Sequence, residues 1–141
     1  MNISKINEVF VKLTESNEII RNFEKEFEDL TASDGVYLFT DNNTYNGPFM
    51  EFCIADNGTY DYITNKGFAT LLQKLNTDEY KIKNDKYEIK PIHDDGFGIN
   101  LSVLPNQNNM PTSEEVKSNL KELAKKIRDL MNSDEIDKEK I

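Results

Sequence analysis

Residues 86–104 read KYEIKPIHDDGFGINLSVL. Apolar and polar residues alternate on both sides of the central HDDGFG, which is typical of strands that bury one face. Within this centre, aspartate favours tight turns through its side-chain hydrogen bonds, and glycine supplies positive φ. The stretch therefore predicts two antiparallel strands, at about residues 86–92 and 98–104, joined by a turn.

The same stretch contains His93, the only histidine of the chain, beside Asp94 and Asp95. A metal or catalytic site is the alternative interpretation of this motif. The further ligands that such a site needs would come from elsewhere in the chain, for example from Asp41, Asp56 or Asp61. No spacing indicates that these residues converge, and the calcium-loop pattern is absent. We therefore interpret the motif as a hairpin turn, without a metal or a cofactor.

A long amphipathic helix is predicted after the hairpin and a loop between Pro105 and Pro111. Thr112 and Glu115 have the spacing of a capping box, in which two side chains satisfy amides of the first helical turn. The apolar residues of this helix recur at helical spacing: Val116, Leu120, Leu123, Ala124, Ile127, Leu130 and Met131. The chain beyond is rich in charge. We predict one domain at residues 1–133 and a charged, frayed tail at residues 134–141.

A short helix and further strands are predicted upstream of the hairpin. Residues 65–67 open a helix at about residues 68–75, whose apolar face comprises Phe68, Leu71, Leu72 and Leu75. Residues 80–92 then alternate tyrosine and isoleucine with lysine and glutamate. Within them, Asn84-Asp85 is either a second tight turn or a bulge in one long strand.

Three more strands are predicted between residues 36 and 64. The first two lie within GVYLFTD (residues 35–41) and FMEFCIAD (residues 49–56), and the second places Met50, Phe52 and Ile54 on one face. Asn57-Gly58 suits a type I′ turn, which needs positive φ at both central residues. This turn would lead into a third strand, TYDYIT (residues 59–64), and complete an antiparallel meander.

The N-terminal part of the chain has helical spacing and lacks glycine and proline from residue 3 to residue 30. Its two apolar stripes are Ile3, Ile6, Phe10 and Leu13, then Ile20, Phe23, Phe27 and Leu30. Capping residues near Ser16 indicate two helices or one bent helix. The predicted fold is α+β: a single antiparallel sheet of about five strands, with N-terminal helices, a short middle helix and a long C-terminal helix packed on it.

No sequence pattern indicates an enzyme. The chain lacks G-x-S-x-G, H-E-x-x-H and a glycine-rich phosphate loop. Cys53, the only cysteine, lies within a predicted strand, where a free cysteine is usually a small core residue. Neither a signal peptide nor a membrane span is recognisable. We therefore expect a cytoplasmic, non-enzymatic protein that does not insert into membranes.

The charge distribution is the feature that indicates a function. The net charge is −9, and the 40 residues from Glu26 to Asn65 contain eight acids and no lysine or arginine. An acidic surface repels nucleic acid and attracts a basic protein, whereas a polar face that serves only solubility is the alternative. If the stretch is an interface, its predicted partner-binding residues are Asp41, Tyr45, Glu51, Asp56, Tyr60 and Asp61.

Three classes of function are compatible with these features. The first is a binding protein that inhibits or neutralises a basic partner. Immunity proteins, antitoxins and phage-encoded blockers of nucleic-acid-handling defence enzymes belong to this class. The carboxylates of such a protein would occupy the positions that phosphates take on the partner. The second follows from the order helix, three strands, helix, two strands, helix. This order resembles the layout of type III secretion chaperones, which implies a homodimer that escorts a client by an apolar segment. A hydrolase or ligand-binding domain, the third, would need a pocket that gathers His93 with carboxylates.

Overall fold

The secondary structure follows the predicted order, with one strand fewer before the middle helix. The architecture comes from a computed structural model that describes residues 18–39, 47–94 and 98–139, and of Asp94 only the main chain. The helices are α1 (residues 18–24), α2 (Asn65–Leu75) and α3 (Ser113–Met131). The strands are β1 (Val36–Leu38), β2 (Met50–Ile54), β3 (Ile82–Lys83), β4 (Tyr87–Asp94) and β5 (Gly98–Pro105).

The strands form one antiparallel sheet in the order β1-β2-β5-β4-β3. Its longest pairing is the predicted hairpin, in which β4 and β5 are in register from Tyr87 opposite Pro105 to Asp94 opposite Gly98. The tight-turn alternative holds at Asn84, whose side-chain oxygen accepts hydrogen bonds from the amides of Lys86 (2.8 Å) and Tyr87 (3.1 Å). The α+β fold with a five-stranded antiparallel sheet is thus confirmed.

Helix α3 covers the inner face of the sheet. It begins at the predicted cap with one half of the capping box, since the Thr112 hydroxyl accepts a hydrogen bond from the Glu115 amide at 3.2 Å. Every residue of its predicted apolar stripe is buried. The sheet residues that are completely buried with it are Val36, Met50, Phe52, Ile89, Leu101 and Val103. The alternating apolar residues of the strands and the apolar stripe of α3 therefore pack against each other in one core.

Helix α1 joins this core through aromatic residues. The chain continues from α1 into a 3-10 turn (Lys25–Phe27), and Phe27 is completely buried. Its ring lies edge-on to the rings of Phe23 and Phe52, with centroid distances of 5.0 and 5.4 Å. The first predicted apolar stripe, from Ile3 to Leu13, and the predicted break near Ser16 lie outside the described residues.

The prediction of a strand at residues 59–64 is wrong. Asn57 and Gly58 do have the positive φ values that the turn prediction requires, 57° and 85°. The chain then forms a 3-10 helix (Thr59–Tyr62), because the Asp56 carboxylate accepts hydrogen bonds from the amides of Gly58 and Tyr60 at 3.1 and 3.0 Å. These local bonds hold the main chain in a tight coil. Both sides of β2 are in any case occupied, by β1 and β5.

The C-terminal segment after α3 packs on the domain instead of fraying. Ile136 is only 2% exposed, and Lys138 forms an isolated bridge with Ile63. Two main-chain hydrogen bonds connect it to the segment before α2, from Thr64 to the Asp137 carbonyl (3.1 Å) and from Glu139 to the Tyr62 carbonyl (2.7 Å). Residues 134–139, which we expected to form a loose tail, are therefore attached to the domain.

Candidate interaction site at the acidic end

Two segments that are distant in sequence form one end of the molecule, which we call the acidic end: residues 56–64 and 132–139. Side chains join them in addition to the main-chain bonds. The Thr59 hydroxyl donates to the Asn132 side-chain oxygen at 2.9 Å, and the Thr64 hydroxyl donates to the Asp137 carboxylate at 2.7 Å. Thr64 also caps α2, since its oxygen accepts from the Gly67 amide at 3.1 Å. One threonine therefore positions both α2 and the C-terminal segment.

The acidic end is anionic because its own lysine faces inward. The Lys138 ammonium donates to the carbonyl oxygens of Met131 (2.9 Å), Ser133 (2.8 Å) and Ile136 (2.7 Å). It thus satisfies the last carbonyl of α3, at the negative end of the helix where a cation is favourable, and two carbonyls of the segment that follows. The acids of the two segments that remain exposed are Asp61, Asp134, Glu135, Asp137 and Glu139. Glu135 pairs with Lys74 at 3.2 Å.

The predicted partner-binding residues are divided between three places. Asp41 and Tyr45 lie outside the described residues. Asp56, Tyr60 and Asp61 all belong to the acidic end, although the Asp56 carboxylate is occupied by main-chain amides. Glu51 lies five residues before Asp56 in β2, about 16 Å away along an extended chain. The structure therefore brings three of the six residues together and separates Glu51 from them.

Tyr60 connects the acidic end to the predicted hairpin motif. Its hydroxyl forms a hydrogen bond of 2.9 Å with Nε2 of His93, and its ring packs edge-on against Phe68 at 4.9 Å. The Phe68 and His93 rings are 5.8 Å apart. His93 therefore belongs to an aromatic contact between the 59–62 turn, α2 and β4. Among the described residues, no group of three or more histidine, cysteine or acidic side chains is placed to bind a metal ion.

The long acidic stretch of the sequence is partly neutralised in space. Lysines of α3 lie beside its first acids, with Lys117 at 2.9 Å from the Asp29 carboxylate and Lys121 at 3.7 Å from that of Asp34. The hydrogen bond from Lys117 lowers the pKa of the Asp29 carboxyl. Two of the four acids between residues 26 and 34, Asp29 and Asp34, are thus paired with cations of α3, so this part of the stretch is less anionic in space than along the sequence.

Sequence reasoning missed the contribution of residues 132–139 to this end. The available signal was Ile136, a single large apolar residue among charged neighbours. An isoleucine in such a segment is compatible with anchoring, but its spacing matches neither a helix nor a strand. The C-terminal segment packs against residues before and within α2 that are about 70 positions away in sequence. No local sequence pattern indicates a contact over that separation.

Cys53 lies on the outer sheet face, opposite α3, next to Tyr37 on the neighbouring strand. Partial burial raises the pKa of the Cys53 thiol, and a hydrogen bond with the Tyr37 hydroxyl partly offsets that rise. We predict that alkylation of Cys53 by iodoacetamide has its midpoint at a higher pH than alkylation of glutathione. In the Tyr37→Phe variant the midpoint should rise further, because the thiolate loses a donor.

Mass spectrometry across a pH series measures this midpoint directly, since the chain has a single cysteine. Tyr62→Phe, which changes a tyrosine of the acidic end, is the matched control and should leave the midpoint in place. A midpoint at or below that of glutathione would contradict the burial of this thiol.

No family model, curated protein or solved structure matches the chain. None of the described helices combines the length and apolar character that a membrane crossing requires.

Proposed function

We propose that this chain is a small acidic, non-enzymatic binding protein that inhibits or neutralises a basic partner, and that the acidic end is its contact surface. The observation that carries the proposal is the docking of residues 132–139 beside residues 59–64, with the Lys138 ammonium turned onto main-chain carbonyls. A docked segment presents its carboxylates at fixed positions. Fixed charges complement a basic surface with a smaller loss of entropy than a flexible tail.

The partner in this proposal is a cytoplasmic protein whose basic surface handles nucleic acid. Exposed carboxylates at the acidic end would occupy positions that phosphates take in its normal substrate. Tyr62, which is 42% exposed in the same segment, adds an aromatic side chain of the kind that is enriched in protein interfaces.

A pull-down from a lysate of the native host at low salt, eluted with increasing salt, tests for such a partner. We expect a basic protein to elute between roughly 0.2 and 0.5 M salt, where surface electrostatics are screened. A partner that stays bound until detergent is added would contradict the proposal.

Charge reversal then tests the surface itself. We predict that the triple variant Asp61→Lys, Asp134→Lys, Glu139→Lys weakens binding of the captured partner at least about tenfold and flattens its salt dependence. The matched control is Glu28→Lys, Asp85→Lys, Glu122→Lys, which changes three exposed acids outside the acidic end by the same total charge. Equal loss in both variants would show that net charge, and not this surface, determines binding.

One observation favours the homodimeric escort as a second candidate. On the outer sheet face, Leu104 and Tyr37 are 45% and 36% exposed, and Leu104 lines a shallow apolar hollow with Phe49 and Ile92. The described helices pack on the opposite face. Light scattering after size-exclusion chromatography distinguishes the candidates, because the escort requires a stable dimer and the inhibitor does not.

A further inference from the structure

Strand β4 extends well past its neighbour at the sheet edge. Strand β3 pairs only with Glu88 and Ile89, so residues 90–94 have no strand beside them on that side within the described part of the chain. Helix α2 lies alongside them instead. Between α2 and this part of β4 is a groove of about 310 Å³, lined among others by Leu72, Asn76, Lys81 and Ile92.

The main chain of Pro91 is directed into this groove. The Lys86 carbonyl accepts from the Asn106 amide, on the β5 side, whereas the Tyr87 carbonyl accepts from the Asn84 amide, on the β3 side. The side to which the main-chain carbonyl points alternates from one residue of a strand to the next. The Pro91 carbonyl, four residues after that of Tyr87, therefore points to the same side. Proline at this position removes no hydrogen bond from the β4–β5 ladder. It presents a carbonyl acceptor at the strand edge.

The charge of the groove is opposite to that of the whole protein. Lys81 and Lys90 line it, no acid does, and neither lysine forms an ion pair with a described residue. The two lysines thus give the groove a positive charge in a chain whose net charge is −9. Leu72, which is 38% exposed, supplies an apolar wall beside them.

We propose that this groove binds an extended acidic peptide segment of a partner protein, which aligns with β4 as an added strand. A main-chain amide of the peptide would donate to the Pro91 carbonyl. Its apolar side chains would contact Leu72 and Ile92, and its carboxylates would pair with Lys81 and Lys90. Residues 90–93 offer a length of about 13 Å, enough for about four peptide residues. This second surface is separate from the acidic end and selects a partner of the opposite charge.

The test is an NMR titration of the full 15N-labelled chain with an acetylated, amidated hexapeptide of alternating valine and glutamate. We expect amide shifts to concentrate in α2 and at residues 81, 90 and 92, since Pro91 has no amide proton. The double variant Lys81→Gln, Lys90→Gln should bind at least about tenfold more weakly. The control Lys66→Gln, Lys86→Gln removes two exposed lysines elsewhere and should retain the affinity. Thermal unfolding of each variant verifies that it is folded.

Four results would overturn the proposal: no binding, equal binding of a valine–glutamine hexapeptide, shifts centred elsewhere, or the same shifts with sodium glutamate alone, which would identify a small-anion site. Dependence of the same amide shifts on protein concentration without peptide would show that a second copy occupies the groove, and this result also contradicts the proposal. This test uses an acidic peptide and substitutes lysines of the groove, whereas the test of the acidic end uses a basic partner and substitutes acids. Either proposal can therefore fail while the other holds.

Discussion

The substitution Gly67→Ala is expected to destabilise the protein by about 1–3 kcal/mol, although alanine is the better helix former. Gly67 lies in the first turn of α2 and is buried. A Cβ atom added there would lie 2.2 Å from the carbonyl oxygen of Asp137 and 2.9 Å from Cγ2 of Ile63. The first contact is with main chain, so a rotamer change cannot relieve it. The C-terminal segment would have to move away from α2.

Truncation separates this clash from any general effect of the substitution. In a chain that ends at Asn132, the Asp137 carbonyl is absent and the Ile63 side chain remains, so the cost of Gly67→Ala should fall below about 1 kcal/mol. Urea unfolding followed by circular dichroism measures the four free energies of unfolding. Ala69→Gly, at an exposed position of the same helix, is the control and should cost about 0.5–1 kcal/mol in both chains. An equal effect of Gly67→Ala in both chains would disprove the packing of residues 134–139 on α2.

The Gly67 result also bears on the proposed function. If the C-terminal segment leaves α2, Asp134, Asp137 and Glu139 lose their fixed positions while the net charge of the protein is unchanged. Binding of a basic partner should then weaken even at temperatures where the variant is folded. A partner that binds the variant with unchanged affinity would recognise the charge of the tail and not its docked geometry.

The parts of the fold that could be predicted are those in which local sequence and tertiary packing agree. The hairpin of residues 86–104 combines alternation with turn residues, and α3 combines helical spacing with Thr112 as its cap. Each signal is contained within about 20 residues. The tertiary structure only had to preserve what the local sequence already favoured.

The parts that could not be predicted depend on partners far along the chain. At Asn57-Gly58 the turn geometry was predicted correctly, but the segment that follows is held by the Asp56 carboxylate and by the distant residues Asn132 and Asp137. The acidic stretch likewise gave no sign that Lys117, 88 positions after Asp29, would neutralise it. Charge counted along a sequence cannot show which cations fold onto it.

Phe27→Ala is expected to have the largest effect on stability, a loss of about 3–5 kcal/mol. Phe27 is completely buried where the chain leaves α1, and its ring contacts those of Phe23 and Phe52 edge-on. The Lys117 ammonium lies 5.7 Å from its centroid and pairs with Asp29. Truncation would therefore leave a cavity between α1, β2 and α3 and remove a cation–π contact.

One control variant and one double-mutant cycle show whether this loss has the proposed cause. Tyr62→Ala removes an aromatic ring that is 42% exposed and should cost less than about 1 kcal/mol. A double-mutant cycle of Phe27→Leu with Phe52→Leu should give a coupling of about 0.5–1.5 kcal/mol, as edge-on aromatic pairs do. A cost of Phe27→Ala near that of Tyr62→Ala would mean that α1 is not part of the core. Because Phe27 packs beside Lys117 near the start of the acidic stretch, its burial also places Asp29 beside a lysine of α3.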